Sequence, residues 1–298
     1  MKRAAVVGVV VGSIVVTAGA AAAIWSLTRP PSIHTAAETY LNALSTGDFD
    51  AIEPMLPEGT TQVGTLEAAF AGASARIADI SFETRADGSV TADATLAGEH
   101  ATIGFALTQH DGRWVLGSDA LAHLEVSTTM GDSVRIGGAL VPAGIVRLLP
   151  AEYPVSAAPA GIVRGEATAA VTGESSAAVA LEASLSSGAT ALAQEQIEAY
   201  AGVCAEPATT VPDHCGIVVP WAADLSALDA VAFRIDRLPS VMIAADGATF
   251  DATGGVLIAT ARGTALDGTA ASFTYRAEDW SLRGSIRFDG DEMVLAVR

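Results

Sequence analysis

Residues 35–59 read TAAETYLNALSTGDFDAIEPMLPEG, and residues 76–116 read RIADISFETRADGSVTADATLAGEHATIGFALTQHDGRWVL. In the first stretch Ala37, Tyr40, Leu41 and Leu44 recur at the spacing that lines one face of an α-helix. Thr35 with Glu38 fits a capping box, and Gly47 is a stop signal. Asp48 is placed to cap a second short helix carrying Phe49, Ile52 and Met55 and ending near Pro57. Residues 65–73 carry a third short helical pattern. The second stretch alternates instead. Ile80 and Phe82 share one face of a strand; so do Val90, Ala92, Ala94 and Leu96, and then Ile103, Phe105 and Leu107. Asp87-Gly88, Gly98-Glu99 and Asp111-Gly112 are turn signals between them. Helices followed by hairpin-linked strands predict an α+β unit over residues 29–118.

Upstream of this unit no residue from Ala4 to Thr28 is charged. Those 25 residues suffice, as a helix, to cross a hydrocarbon core of about 30 Å. Lys2 and Arg3 precede the run, so the positive-inside rule keeps the N-terminus in the cytoplasm and sends the remainder outside. Residues 1–28 are therefore expected to be an N-terminal transmembrane anchor, an uncleaved signal, in the plasma membrane. The alternative is secretion after cleavage, because Ala20-Ala21-Ala22 and Ala21-Ala22-Ala23 fit a small-x-small site. Both readings are extracytoplasmic, and the cysteines fit them. Cys204 and Cys215 are the only two, a pair expected to be oxidised to a disulfide. A metal site on Cys204, His214 and Cys215 would lack a fourth ligand, and no metal is expected.

After residue 118 the pattern is β-rich. Residues 119–188 form one expected small β module, with Gly137-Gly138 as a turn and residues 163–185 as a further β-prone stretch. Residues 189–298 form another: a helix over 189–203 with Leu192, Gln196 and Ala199 along one face, the cysteine loop, a strand at 217–221, and a β-meander. The meander's strands are expected near 231–235, 241–244, 248–253, 256–262, 270–277, 280–288 and 292–297, with Gly254-Gly255 among the turns. The fold class is thus α+β: a transmembrane helix, a cone-like α+β domain, then β-rich modules with a helix and one disulfide.

Residues 37–52, together with Asp111, Gly112 and Trp114, resemble the nuclear-transport-factor-two-like (cystatin-like cone) superfamily. The resemblance implies a helix-lined curved sheet around a cavity, in a fold that hosts isomerases, dehydratases and non-catalytic members alike. Residues 133–155, with Leu149-Pro150 before Tyr153 and Val155, are similar to PEGA-like extracellular β modules, although Ala151 and Glu152 replace the usual turn glycine. The helix and cysteine loop resemble actinobacterial envelope proteins, a resemblance that implies no activity.

The chemistry these residues allow is narrow. A formal charge of −18 over 298 residues argues against a nucleic-acid partner. Lys2 is the sole lysine, so no P-loop, Schiff-base or Ser-x-x-Lys chemistry exists beyond it. Alanine fills about a fifth of the chain, a composition of GC-rich coding. Tyr40, Phe105 and Trp114 are the candidate lining of a ligand pocket in the cone, with Tyr40 its candidate polar group. His100, His110 and His123 read as solvated residues, Asp289-Gly290-Asp291-Glu292 as a solvated turn, and Gly173-Glu174-Ser175 as an incomplete nucleophile elbow. No catalytic residue and no cofactor is expected. The expected role is non-catalytic binding or scaffolding at the cell envelope, with an envelope protein or wall polymer as partner. A small-molecule carrier or enzyme using the cone cavity is the alternative.

Overall fold

The computed structural model describes residues 32–173 and 176–298. The expected membrane span at 4–28 lies outside the described residues, and among those described no helix is long and apolar enough to cross a membrane. The protein is a mixed, strand-rich structure with one disulfide. It divides into two units. One runs to Thr61 and resumes over Arg76–Leu121; the other takes Gln62–Ala75 and Ala122–Arg298.

The first unit opens with α1 (Ile33–Thr46) and α2 (Phe49–Ile52). Ala37, Tyr40, Leu41 and Leu44 form the buried face of α1, as their spacing predicts. The cap is displaced, however. Ser32 holds the N-cap position, its hydroxyl accepting from the Thr35 N–H at 3.2 Å, so Thr35 lies inside the helix rather than starting it. Gly47 ends α1 in the left-handed region at φ +78°, and Asp48 caps α2 by accepting from the Ala51 N–H. Four strands follow as an antiparallel meander in chain order: β1 (Ala78–Thr84), β2 (Ser89–Leu96), β3 (Glu99–His110) and β4 (Arg113–Leu116). The register aligns Phe82 with Ala92 and Ile103, and Val90 with Phe105, so one face of the sheet is continuously apolar. That face supplies Val90, Ala92, Ala94, Leu96, Ile103, Phe105 and Leu107 to the core.

The third helical pattern does form, as α3 (Val63–Ala71), but outside this unit. It packs against β7 (Ala139–Pro142), β8 (Gly144–Leu148) and β9 (Ala151–Ala157) of the second unit, burying Leu66, Ala69 and Phe70. Residues 74–75 then lie beside β9, where the Ser74 N–H donates to the Glu152 carbonyl at 2.8 Å and the Glu152 N–H to that of Ala75 at 2.9 Å. The sequence places these residues next to the helices of the first unit; long-range pairing draws them into the other unit.

The middle of the second unit contains two separate sheets. One sheet has the order β11 (Glu166–Val171), β9, β6 (Ser133–Ile136), β7. The other has β12 (Ala177–Leu181), β5 (Ala122–Thr128), β8, with β12 parallel to β5. Tyr153 is fully buried here and donates its hydroxyl to the Leu149 carbonyl at 2.7 Å. A short pair, β10 (Val163–Arg164) with β13 (Ser184–Leu185), leads on to α4 (Ser187–Cys204).

The last sheet has the order β14 (Leu225–Arg237), β16 (Thr249–Ala265), β17 (Ala270–Asp289), β18 (Glu292–Val297), and β15 (Ser240–Ile243) pairs with β16 in line with β14. Seven short strands are expected from the sequence, yet β16 and β17 are long and continuous. Gly254-Gly255 is a bulge within β16, not a turn. Trp280 of β17 packs so near that a Cβ on Gly255 would lie 2.8 Å from its carbonyl oxygen. The expected strand at 217–221 is irregular chain ending in a 3-10 turn over Trp221–Ala223. Met130, Ala157 and Val163 pack with Phe288 and join the middle strands to this sheet. Asp291, in the turn read as solvated, pairs with Arg135 and accepts from the Ala160 N–H.

Candidate functional site

The interior of the first unit is the site the sequence points to, so its three candidate residues come first. Tyr40 projects from the buried face of α1, and its ring meets Phe105 of β3 edge-on, with centroids 4.8 Å apart at 71°. Its hydroxyl donates to the Ala120 carbonyl at 3.3 Å. Burial, and secondarily the Asp119 carboxylate, push the phenol far above its ordinary pKa. It is a neutral donor already committed to a backbone oxygen. Rings in edge-to-face contact leave no room between them, so Tyr40 and Phe105 act on each other as core. Trp114 is half-buried in the β3–β4 hairpin, paired across the strands with Gln109. The structure therefore brings Tyr40 and Phe105 together.

The histidines are dispersed. His100 lies 3.6 Å from Asp93, and His110 lies 3.2 Å from Glu58 and 3.6 Å from Asp111. His123 faces solvent opposite Arg147 on β8. His214 sits in the cysteine loop, where its carbonyl accepts from the Tyr200 hydroxyl at 3.0 Å. Gly173 is described, while Glu174 and Ser175 lie outside the described residues.

A second set of specific contacts lies at α4 and the sheet it covers. Cys204 closes α4 and is bonded to Cys215, with their Cα atoms 5.7 Å apart, the expected disulfide. The loop is fixed twice more. The Trp280 indole N–H donates to the Cys215 carbonyl at 2.8 Å, and Gly216, at φ +59°, lies so close to β17 that a Cβ would stand 2.3 Å from the Ser281 oxygen. Ala208 pairs with Val231, so the loop runs along β14.

The buried face of α4 is Ala189, Ala193, Ile197 and Ala201, not the Leu192–Gln196–Ala199 line expected from the sequence. It packs on Val241, Phe250, Leu257, Trp280, Leu282, Ile286 and Met293. Three of those four helix residues bury a single methyl, on the order of 1 kcal/mol each, against about 1.5–3 kcal/mol for a full aliphatic side chain. Polar contacts add to this burial. The Gln194 amide accepts from the Val241 N–H at 3.0 Å and donates to the Pro239 carbonyl at 3.2 Å. The Gln196 amide accepts from the Leu295 N–H at 3.0 Å and donates to the Met293 carbonyl at 2.7 Å. Sequence reasoning missed this role for both residues; the only signal was a pair of amides two positions apart in an alanine-rich helix.

Beside Gln196 an open cleft of about 330 Å³ runs between α4 and the end of β18, lined by Ile197, Ala199, Tyr200, Val203, Leu295 and Val297. Val203 at its rim is 67 % exposed. The arrangement supplies apolar contact and backbone hydrogen bonding rather than acid–base chemistry. The chain matches no protein-family model, no curated protein and no solved structure.

Proposed function

We propose that this chain is a membrane-anchored extracytoplasmic protein with a non-catalytic binding or scaffolding role at the cell envelope. The observation that carries the reading is the Cys204–Cys215 disulfide, a bond that persists in oxidising compartments and is rare in reducing ones. The uncharged run at 4–28 behind Lys2 and Arg3 supplies the anchor and its orientation. The cone-like reading of the first unit draws support from its order of helices then meander, and the PEGA-like reading of the middle strands from the Tyr153-bearing β9 at the centre of its sheet. The Tyr40–Phe105 contact weighs against the alternative of a ligand carrier or enzyme in the cone.

Fractionation of cells producing the full-length chain tests this. The chain should sediment with membranes, be cut by protease added from outside, and take up no maleimide until reduced. Full-length chain in the soluble medium would remove the anchor. Thiols that react without reductant would remove the oxidising compartment.

A further inference from the structure

The two edges of the C-terminal sheet are on opposite sides: β18 ends one, and β15, in line with β14, ends the other. One helix reaches both. Gln194 and Gln196 are two residues apart on α4, and each side-chain amide bonds one edge in the same way. At β15 it takes the carbonyl of Pro239 and the N–H of Val241; at β18 it takes the carbonyl of Met293 and the N–H of Leu295. A carbonyl and the N–H two residues on are what one residue of a neighbouring parallel strand would bond. A single helix thus spans the β15–β16–β17–β18 part of the sheet from edge to edge.

Open edges pair readily with another chain, and proteins blunt them. We propose that α4 is an edge guard: through Gln194 and Gln196 it occupies strand-pairing positions on both edges of the sheet and so keeps a second copy of this chain from adding edge to edge. Two features favour a second copy as the occupant that is kept out. Both edges belong to one sheet, so any two copies carry matching partners. Along the β14 part of its edge the sheet has other devices, the charged Asp229, Arg234, Asp236 and Arg237 and the loop paired at Ala208, whereas β18 has one charged residue, Glu292 at its start, and the four-residue β15 behind Pro239 has none. Neither glutamine is needed for the envelope role proposed above, and the guard stands or falls separately from it.

The test uses the full-length chain in detergent, as Gln196→Met, Gln194→Met and the double variant. Methionine keeps the length of the side chain and removes both hydrogen bonds. At low concentration, hydrogen exchange of the Leu295 amide should be about tenfold faster in Gln196→Met with Val241 unchanged, and the reverse in Gln194→Met. As concentration rises, sedimentation should show each single variant dimerising through its one opened edge, with protection returning at that edge. The double variant, open on both sides, should pass beyond a dimer. Variants that stay monomeric while their edge amides exchange fast overturn the proposal. So do single variants in which both amides accelerate together, because that reports unseating of the whole helix. If the double variant loses its folded near-ultraviolet signal, the single variants decide.

Discussion

Gly72, which ends α3, and Gly137, in the turn between β6 and β7, meet backbone to backbone. A Cβ on Gly72 would lie 1.8 Å from the Gly137 oxygen, and a Cβ on Gly137 would lie 2.1 Å from the Ala69 oxygen. This contact seats α3 on the middle strands, and no side chain, however small, fits between the two segments. Gly72→Ala should lower the stability of the second unit by about 2 kcal/mol or more, since the opposing atoms are backbone and cannot rotate aside. Gly137→Ala should be worse, because its φ of +57° adds about 1 kcal/mol of strain. Denaturant titration followed by tryptophan fluorescence of chains carrying Trp25→Phe and Trp114→Phe, so that Trp221 and Trp280 report, reads this. An unchanged midpoint in both variants would show that α3 does not depend on the approach.

Cys215→Ser should weaken the second unit and leave the first untouched. The cysteines are 11 residues apart, and opening so short a loop costs about 3 kcal/mol on the chain-entropy model. Pro207 and Pro212 already stiffen the loop, so the measured loss should fall below that figure. Calorimetry should show one transition moved and another fixed. Equal movement of both transitions would contradict this.

Tyr40 gives an alkaline signature. Its pKa is raised in the folded chain, so the folded state holds its proton after the unfolded state has lost it. The associated stability is complete below the unfolded phenol value of about 10 and falls as pH rises above that. Tyr275, raised by desolvation and by its bond to Asp224, bends the profile in the same sense. Tyr40→Phe should flatten the alkaline loss, at the expense of about 1 kcal/mol near neutrality from the bond to Ala120. An alkaline limb as steep in Tyr40→Phe as in the parent chain would refute the assignment.

Two Asp-Gly turns should titrate alike. Asp87 accepts from the Ser89 hydroxyl and N–H at 2.7 and 3.0 Å; Asp267 accepts from those of Thr269 at 2.6 and 3.0 Å. These bonds, the side-chain one foremost, hold both carboxyls below the usual carboxylate value. The contribution of each turn is present above the unfolded carboxyl pKa and is lost as pH falls through the depressed folded one. In an acid titration by NMR, the Ser89 and Thr269 amide shifts should move with midpoints below about 3.9. Midpoints at or above that value would mean the bonds are not kept in solution.

What a reader of the chain can see is what depends on near neighbours. The burial of Ala37, Tyr40, Leu41 and Leu44 follows from helical spacing, and the β1–β4 meander from alternation broken by Asp-Gly and similar turns. The disulfide followed from two cysteines, a short loop and the expectation of an outward compartment. The candidate pocket was legible only as a set of residues. That Tyr40 spends its hydroxyl on Ala120, 80 positions away, and its ring on Phe105 is a matter of long-range placement. The same holds for the residues that local reading put elsewhere. Residues 65–73 have helical spacing in any context, but only pairing of Ser74 with β9, 78 positions on, decides which core Leu66 and Phe70 enter. Gly254-Gly255 is a turn by local propensity and a bulge because Trp280 must lie over it. Gln194 and Gln196 are ordinary helix residues until the tertiary fold brings β15 and β18 within reach of their amides. The sequence by itself determined periodicity, turns and the crosslink, because those interactions reach only a few residues. Tertiary structure alone decided which faces meet, because that depends on backbone groups that every residue carries alike.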